Sequence, residues 1–233
     1  MSAENCPPKS SPPATPLEAL SPLVRDRVII EGQTFFITRP AESDLLIDHP
    51  VVQATFQADD YLPYWTELWP AARMLAKAVF RENWKPGTPV LEIGSGLGLP
   101  GIAALAKGMR VTFSDCDSTA LHFAANNARA NGFHDFDVAV LDWRSPPEGM
   151  RFPVVLGSDL LYELRHINPL VALIKRVVIH GGVCLLTDQD RLPAYNFREA
   201  LEGEGLPYTA QLMRAGEPGG RRMKGTLYRI TPR

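Results

Sequence analysis

Four carboxylates and three glycines are spaced so that they could serve one ligand. Glu92 stands two residues ahead of Gly94-x-Gly96-x-Gly98 in the run VLEIGSGLGLPG, Val90 to Gly101. Asp115 ends the next apolar run, VTFSD. Asp142 follows a third, in Leu141-Asp142-Trp143. Asp159 follows a fourth, Phe152 to Ser158, and opens Asp159-Leu160-Leu161-Tyr162. Glycines at a strand-to-helix turn let backbone N–H groups approach a ligand, and Pro100 suits the first helical turn, where the N–H it lacks would have no partner.

The spacing discriminates between ligands. A dinucleotide fingerprint needs Gly-x-Gly-x-x-Gly, and here Leu99 stands where the third glycine would fall. A carboxylate at Glu92 would repel a pyrophosphate. It suits a ligand carrying an ammonium and a sulfonium, such as S-adenosylmethionine. Asp115 lies about twenty residues on, where a ribose-binding acid is expected. Asp142 and Trp143 offer an adenine a hydrogen-bonding side chain and an aromatic face.

These residues need a scaffold that brings strand ends together. Apolar runs at Val90–Ile93, Arg110–Ser114, Val138–Leu141, Phe152–Ser158 and Val183–Thr187 alternate with helical stretches. The helices are expected over about 100–107, from an Asp117 or Ser118 cap to about 131, from an Asn168-Pro169 start to about 179 with Gly181-Gly182 as the break, and over 195–204. Tyr208–Arg214 and Thr226–Thr231 read as an antiparallel pair closing the sheet. The pattern implies an α/β fold, doubly wound and mostly parallel with an antiparallel edge strand, whose ligand lies outside the carboxyl ends of the strands. Glu92, Asp115, Asp142 and Asp159 all fall at those ends.

Ahead of this unit, residues 1–22 form a Pro/Ser/Ala-rich tail expected to be disordered, leaving 23–233 as one domain. Val28–Ile30 and Phe35–Ile37 flank Glu31-Gly32-Gln33 as a hairpin addition. Residues 39–60 read as loop or short helix. From Thr66 onward, Leu68, Ala72, Leu75, Ala76 and Val79 recur at helical spacing, with Pro70 in the first turn. Trp65 and Trp69 flank that helix entrance, either as core anchors or against cofactor or substrate, with Trp65 placed on the substrate side. A net charge of −2 argues against a broad nucleic-acid surface. Cys6, Cys116 and Cys184 show neither metal-ligand nor disulfide-framework spacing, which fits a reducing, cytoplasmic setting. No apolar run is long enough to span a bilayer.

The stretches LPYWTELWP, LEIGSGLGLPG, TFSDCD, LDWR and DLLY together resemble the seven-strand (class I) S-adenosylmethionine-dependent methyltransferases. The Asp-x-x-Tyr match at Asp159 and Tyr162 resembles the protein-lysine methyltransferase branch. The resemblance covers roughly Tyr61 to Thr187 and implies a Rossmann-like, seven-strand sheet. It implies that Gly94, Gly96 and Gly98 with Glu92 hold the methionine part of the cofactor, that Asp115 binds the ribose hydroxyls, and that Asp142 and Trp143 bracket the adenine. Trp69 would pack near the cofactor's amino-acid end. Asp159 and Tyr162 would line the acceptor channel. The Asn-Pro-Pro-Tyr signature of DNA adenine and glutamine methyltransferases is absent after the fourth strand.

The expected activity is therefore methylation of lysine in a protein substrate by a monomeric enzyme. A small-molecule acceptor, or a binding module without catalysis, stands as the alternative. Methyl transfer needs a neutral nitrogen, and a free lysine, with a pKa of about 10.4, is mostly protonated. Burial would lower that value and a neighbouring carboxylate would raise it. Asp159 is thus read as an orienting acceptor, with water taking the proton; a cap on the following helix is the competing role. Asn126, Asn127 and Asn131 follow the second strand, and one of them could turn toward the glycine loop. Arg221, Arg222 and Lys224 make a small basic turn.

Overall fold

The computed structural model describes residues 21–41, 62–216 and 222–232. The expected tail, apart from Ser21 and Pro22, lies outside the described residues, as do Arg221 and the 39–60 stretch beyond residue 41.

Strands β1 (Leu23–Ile30) and β2 (Gln33–Pro40) form the antiparallel hairpin. Its two-residue turn, Glu31-Gly32, has positive φ at both positions (46° and 85°), the geometry that matches the twist of a hairpin. Val28, Ile30, Phe35 and Ile37 point inward and are buried. After a single helical turn at Tyr64–Thr66 comes α1 (Pro70–Arg81), with Trp69 as N-cap residue and Pro70 opening the helix. The nucleotide-binding order then follows: β3 (Pro89–Ile93), α2 (Leu99–Ala106), β4 (Arg110–Asp115), α3 (Ser118–Ala130), β5 (Asp137–Val140) and β6 (Phe152–Ser158). A turn at Leu164–His166 leads to α4 (Ile167–Val177), β7 (Val178–Asp188), α5 (Pro193–Gly203), β8 (Tyr208–Ala215) and β9 (Met223–Ile230).

The seven-stranded sheet has the order β5-β4-β3-β6-β7-β9-β8. All neighbours from β5 to β7 are parallel. The reversed strand, β9, is inserted between β7 and β8 and pairs antiparallel with both. One apolar layer joins the sheet to α1, α2, α3 and the hairpin; a second joins it to α4 and α5. The chain order reverses at β3, which lies between β4 and β6. Crevices open at such a reversal because the helices on either side leave in opposite directions.

Several local expectations hold. Asp117 caps α3, its Oδ1 accepting from Thr119 N at 2.7 Å, and Gly132 (φ 86°) follows the helix end. Others are corrected. Helix α4 starts at Ile167, with His166 as N-cap residue, so Asn168-Pro169 lies inside its first turn. It ends at Val177, and Gly181-Gly182 belongs to β7, in an irregular stretch where the register jumps from Phe152↔Val178 to Val154↔Val183. A side chain at Gly182 would sit 2.7 Å from the Pro153 carbonyl oxygen, so this glycine lets two backbones approach rather than stopping a helix. Helix α5 begins at Pro193, two residues before the expected start.

Candidate active site

The chain leaves β3 through Gly94, Gly96 and Gly98, with φ of 56°, 50° and 81°. Those values fall in the left-handed region, open to glycine at little cost. At Gly94 space also matters, since a Cβ there would lie 2.6 Å from Leu160 Cδ2. Gly98 is the N-cap residue of α2. Asp115, at the end of β4, fixes this loop. Its Oδ2 accepts from Gly96 N at 3.0 Å and its Oδ1 from Asp117 N at 3.0 Å. Burial raises the Asp115 carboxyl to about 6, against the opposing pull of those two backbone N–H groups.

Trp65 packs over the same loop. Its ring lies 5.1 Å from Phe123, its Nε1 donates to Asp117 Oδ2 at 2.8 Å, and its Cβ would be 3.5 Å from a Cβ on Gly96. Trp65 thus braces the glycine loop and also lines the crevice beside Tyr64 and Trp69. Asn127, on α3, reinforces the loop from below. Its Nδ2 donates to Leu97 O and to Thr38 O, both at 3.1 Å, and its Oδ1 accepts from Thr38 N at 2.8 Å. Asn131 makes the same paired contact with the N–H and C=O of Phe36. Two amides one helical turn apart thus pair with the edge of β2 as a strand would.

Glu92 departs from its expected position. Its side chain is buried under α2, where Oε2 accepts from Gly101 N at 3.0 Å, and it does not line the crevice. Burial pushes this carboxyl well above the usual carboxylate range, only partly offset by the Gly101 N–H. A carboxyl so placed satisfies a helix N-terminus. The remaining expected residues, Trp69, Gly94, Gly96, Gly98, Asp115, Asp142, Trp143, Asp159 and Tyr162, all line one crevice.

Asp142 is bound by Arg144, whose Nε lies 2.9 and 3.0 Å from its two oxygens and whose backbone N donates to Oδ1 at 2.9 Å. Trp143 stands edge-on to His166, ring centroids 5.5 Å apart. Tyr162 packs between Tyr64 (5.2 Å) and His166 (5.6 Å). Asp159 is buried, with φ of 61°, and its backbone N donates to Thr187 O at 2.8 Å. Its carboxylate caps no helix. Oδ1 is paired with Arg191 Nη1, and Oδ2 accepts from Gln189 Nε2 at 2.7 Å. Burial raises its pKa; Arg191 and Gln189 act in the opposite direction. Trp69 Nε1 donates to Tyr64 O at 2.7 Å, and the Arg191 guanidinium lies 5.3 Å from its ring centroid.

Gln189 and Arg191, which hold the Asp159 carboxylate, were not among the expected residues. The signal was positional: Asp188 ends β7 and Gln189-Asp190-Arg191 follow it, at the same carboxyl edge as the other candidates.

The crevice suits S-adenosyl-L-methionine. A glycine cradle opens onto a helix N-terminus, Asp115 stands beside it, and Trp143 lies close to Gly94. The arginines lining the crevice are already ion-paired, Arg144 with Asp142 and Arg165 with Glu163, so a pyrophosphate finds little uncompensated positive charge.

Comparison with known proteins gives the same direction. A family model described as lysine methyltransferase matches residues 63–201, more than half of the chain. Histone-arginine methyltransferase METTL23 of Mus musculus is 26% identical over 174 residues, covering 70% of this chain and 66% of that protein. Protein N-lysine methyltransferase METTL21A of Xenopus tropicalis is 34% identical over 101 residues, covering 41% and 46%. The histidine protein methyltransferase 1 homolog of Dictyostelium discoideum is 31% identical, covering 53% and 42%. The chain spans between 42% and 66% of the length of these curated relatives. Among solved structures, ribosomal protein L11 methylase of Lactobacillus delbrueckii subsp. bulgaricus shares the fold, with a TM-score of 0.57, 20% identity, and coverage of 70% of this chain and 79% of that one. The chain belongs to the lysine methyltransferase family, whose cofactor is S-adenosyl-L-methionine.

Proposed function

We propose that this protein transfers a methyl group from S-adenosyl-L-methionine to a lysine side chain of a protein acceptor. The observation that carries the reading is the mouth of the crevice. Tyr64, 43% exposed, and Tyr162 form an aromatic pair there, and the buried Asp159 lines the same crevice. An aromatic mouth with a carboxylate behind it admits a long, amine-tipped side chain, whose methylenes pack on the rings while its nitrogen finds a hydrogen-bond acceptor.

The roles follow from position. The Gly94–Gly98 loop and the N-terminus of α2 would hold the amino-acid part of the cofactor, with Trp65 and Asn127 fixing the loop. Asp115 would accept from the ribose hydroxyls, and Trp143 with Asp142 would flank the adenine. When bound, the cofactor supplies a methyl group made electrophilic by its sulfonium. Asp159 would orient the acceptor nitrogen, and Tyr64, Tyr162 and Trp69 would exclude water around it. Positioning and desolvation of this kind can supply much of a rate enhancement.

The test is incubation with tritiated S-adenosylmethionine and a cell lysate, followed by mass-spectrometric mapping of the labelled residue. Label on lysine supports the proposal. Label on arginine or histidine, the residues that two relatives' names mention, would replace lysine within the same site. Label confined to small molecules would contradict the protein acceptor.

A further inference from the structure

A lone carboxylate is a poor neighbour for an amine that must react. It favours the ammonium, which has no lone pair. Asp159 is not alone, however. Arg191 reaches it from the turn after β7, 32 residues along the chain. Several contacts fix that arginine. Its backbone N donates to Asp188 Oδ1 at 2.9 Å, its Nη1 lies 3.8 Å from Asp188 Oδ2, and its guanidinium stands over the Trp69 ring. Gln189, from the same turn, donates to the other Asp159 oxygen.

We propose that Arg191 is a positioning residue for methyl transfer, cancelling the charge of Asp159 so that the carboxylate can orient an acceptor amine without keeping it protonated. The proposal rests on the lysine reading given above. The step concerned is proton release: the ε-ammonium gives one proton to water, its N–H bonding pair becomes the nitrogen lone pair, and Asp159 and Arg191 keep their own protonation states. Without Arg191, the Asp159 carboxyl and the amine share a proton that leaves only at higher pH.

Other ionisable groups surround the place. Asp188 and Asp190 lie in the same turn as Arg191. Tyr162 and Glu163 follow β6, Asp115 ends β4 with Cys116 after it, and Tyr64 precedes α1. His166 and Arg165 also line the crevice, with Arg165 paired to Glu163. Among the described residues, Arg191 is the cation that touches Asp159.

Two measurements test this. The first is the pH dependence of tritium incorporation into the protein band that the wild type labels in lysate. The acidic limb of the wild type is expected below the ~10.4 of free lysine. In Arg191→Gln it is expected to move up by about one pH unit or more, the usual effect of losing an opposite charge at contact distance. Arg191→Lys is expected to restore most of that change. The second measurement needs no cofactor: carboxyl-carbon NMR of Asp159 in the free protein, whose titration midpoint should rise in Arg191→Gln. Calorimetric uptake of S-adenosylhomocysteine shows that the variant is folded. If it is, and either the limb or the midpoint stays within about 0.3 pH unit of wild type, a small fraction of the effect expected of a contacting charge, the proposal is overturned. If Arg191→Gln takes up no S-adenosylhomocysteine, the wild-type limb decides, and a value at or above ~10.4 overturns the proposal. Failure of the wild type to label any protein falls on the functional reading instead, and leaves the Asp159 titration as a separate result.

Discussion

The two halves of the crevice satisfy their carboxylates by different means. In the half built from β3 and β4, Asp115 and Glu92 accept from the backbone N–H groups of Gly96, Asp117 and Gly101, all close to the glycine loop. In the half built from β5 and β6, Asp142 and Asp159 are held by arginine side chains, Arg144 and Arg191. Backbone partners tie these carboxyls to the loop without an opposing formal charge; burial raises their pKa, as it does that of Asp159. Arginine partners supply an opposing formal charge, which at Asp159 partly offsets the effect of burial. The first arrangement suits a cofactor platform, and the second suits a place where an acceptor and its proton come and go.

The largest expected effect comes from crowding the rigid half. A Cβ on Gly101 would overlap Glu92 Oε2, which would lose its hydrogen bond if displaced, and the fully buried Phe113 ring, which has no room to move. Gly101→Val is expected to lose roughly 3 kcal/mol in chemical denaturation, as overpacking of tight cores does, together with S-adenosylhomocysteine uptake. A tolerated valine would show that this half is not rigid. Next is Asn127→Leu, which leaves Leu97 O and both backbone groups of Thr38 without their side-chain partner. The expected cost is about 2 kcal/mol, the scale of stranded buried polar groups, with weakened cofactor binding.

Asp115 sharpens the comparison through pH. Its folded pKa of about 6 is above the ordinary carboxylate value, so the folded state binds the proton more tightly than the unfolded chain. The sign follows: this group favours the folded state at low pH, and that contribution is lost as pH rises from the unfolded value through about 6. Cofactor binding runs the other way, because the ionised carboxylate is the better acceptor for two ribose hydroxyls. S-adenosylhomocysteine should bind about tenfold more weakly at pH 5 than at pH 7.5 by calorimetry. A flat profile would remove Asp115 from the ribose. The smallest effect is expected at Asp142, whose partner Arg144 is 36% exposed in its side chain. Asp142→Asn should change stability by less than about 1 kcal/mol and cofactor affinity by less than about fivefold. A loss comparable to that of an Asp115 variant would erase the distinction between the halves.

The same contrast explains what could be read from the chain. The glycine turn, the Asp117 cap, the hairpin and the alternation of strands and helices are local patterns, and each appears where its residues stand. The neighbours of Asp159 are not local: nothing near DLLY announces that Gln189 and Arg191 will meet it, although their place at the next strand end was visible. Glu92 misled for a different reason. Sequence puts it at the strand end, but the direction of its side chain is set by the N-terminus of α2, which claims the carboxyl for Gly101 N–H. Of the three asparagines after β4, Asn127 does turn toward the glycine loop, through Leu97 O, but the pairing of Asn127 and Asn131 with β2 shows only once that strand is seen lying against them. Gly181-Gly182 has the composition of a helix stop, and only the pairing of β6 with β7 turns it into a strand irregularity.

Everything proposed for this site requires a sulfonium cofactor lying across the strand ends with its reactive end toward the Asp159–Arg191 pair. A crystal structure with S-adenosylhomocysteine tests it most directly. The account predicts ribose hydroxyls on Asp115, adenine beside Trp143, and the thioether sulfur facing the Tyr64–Tyr162 mouth. Ribose placed away from Asp115, or sulfur turned from Asp159, would contradict it.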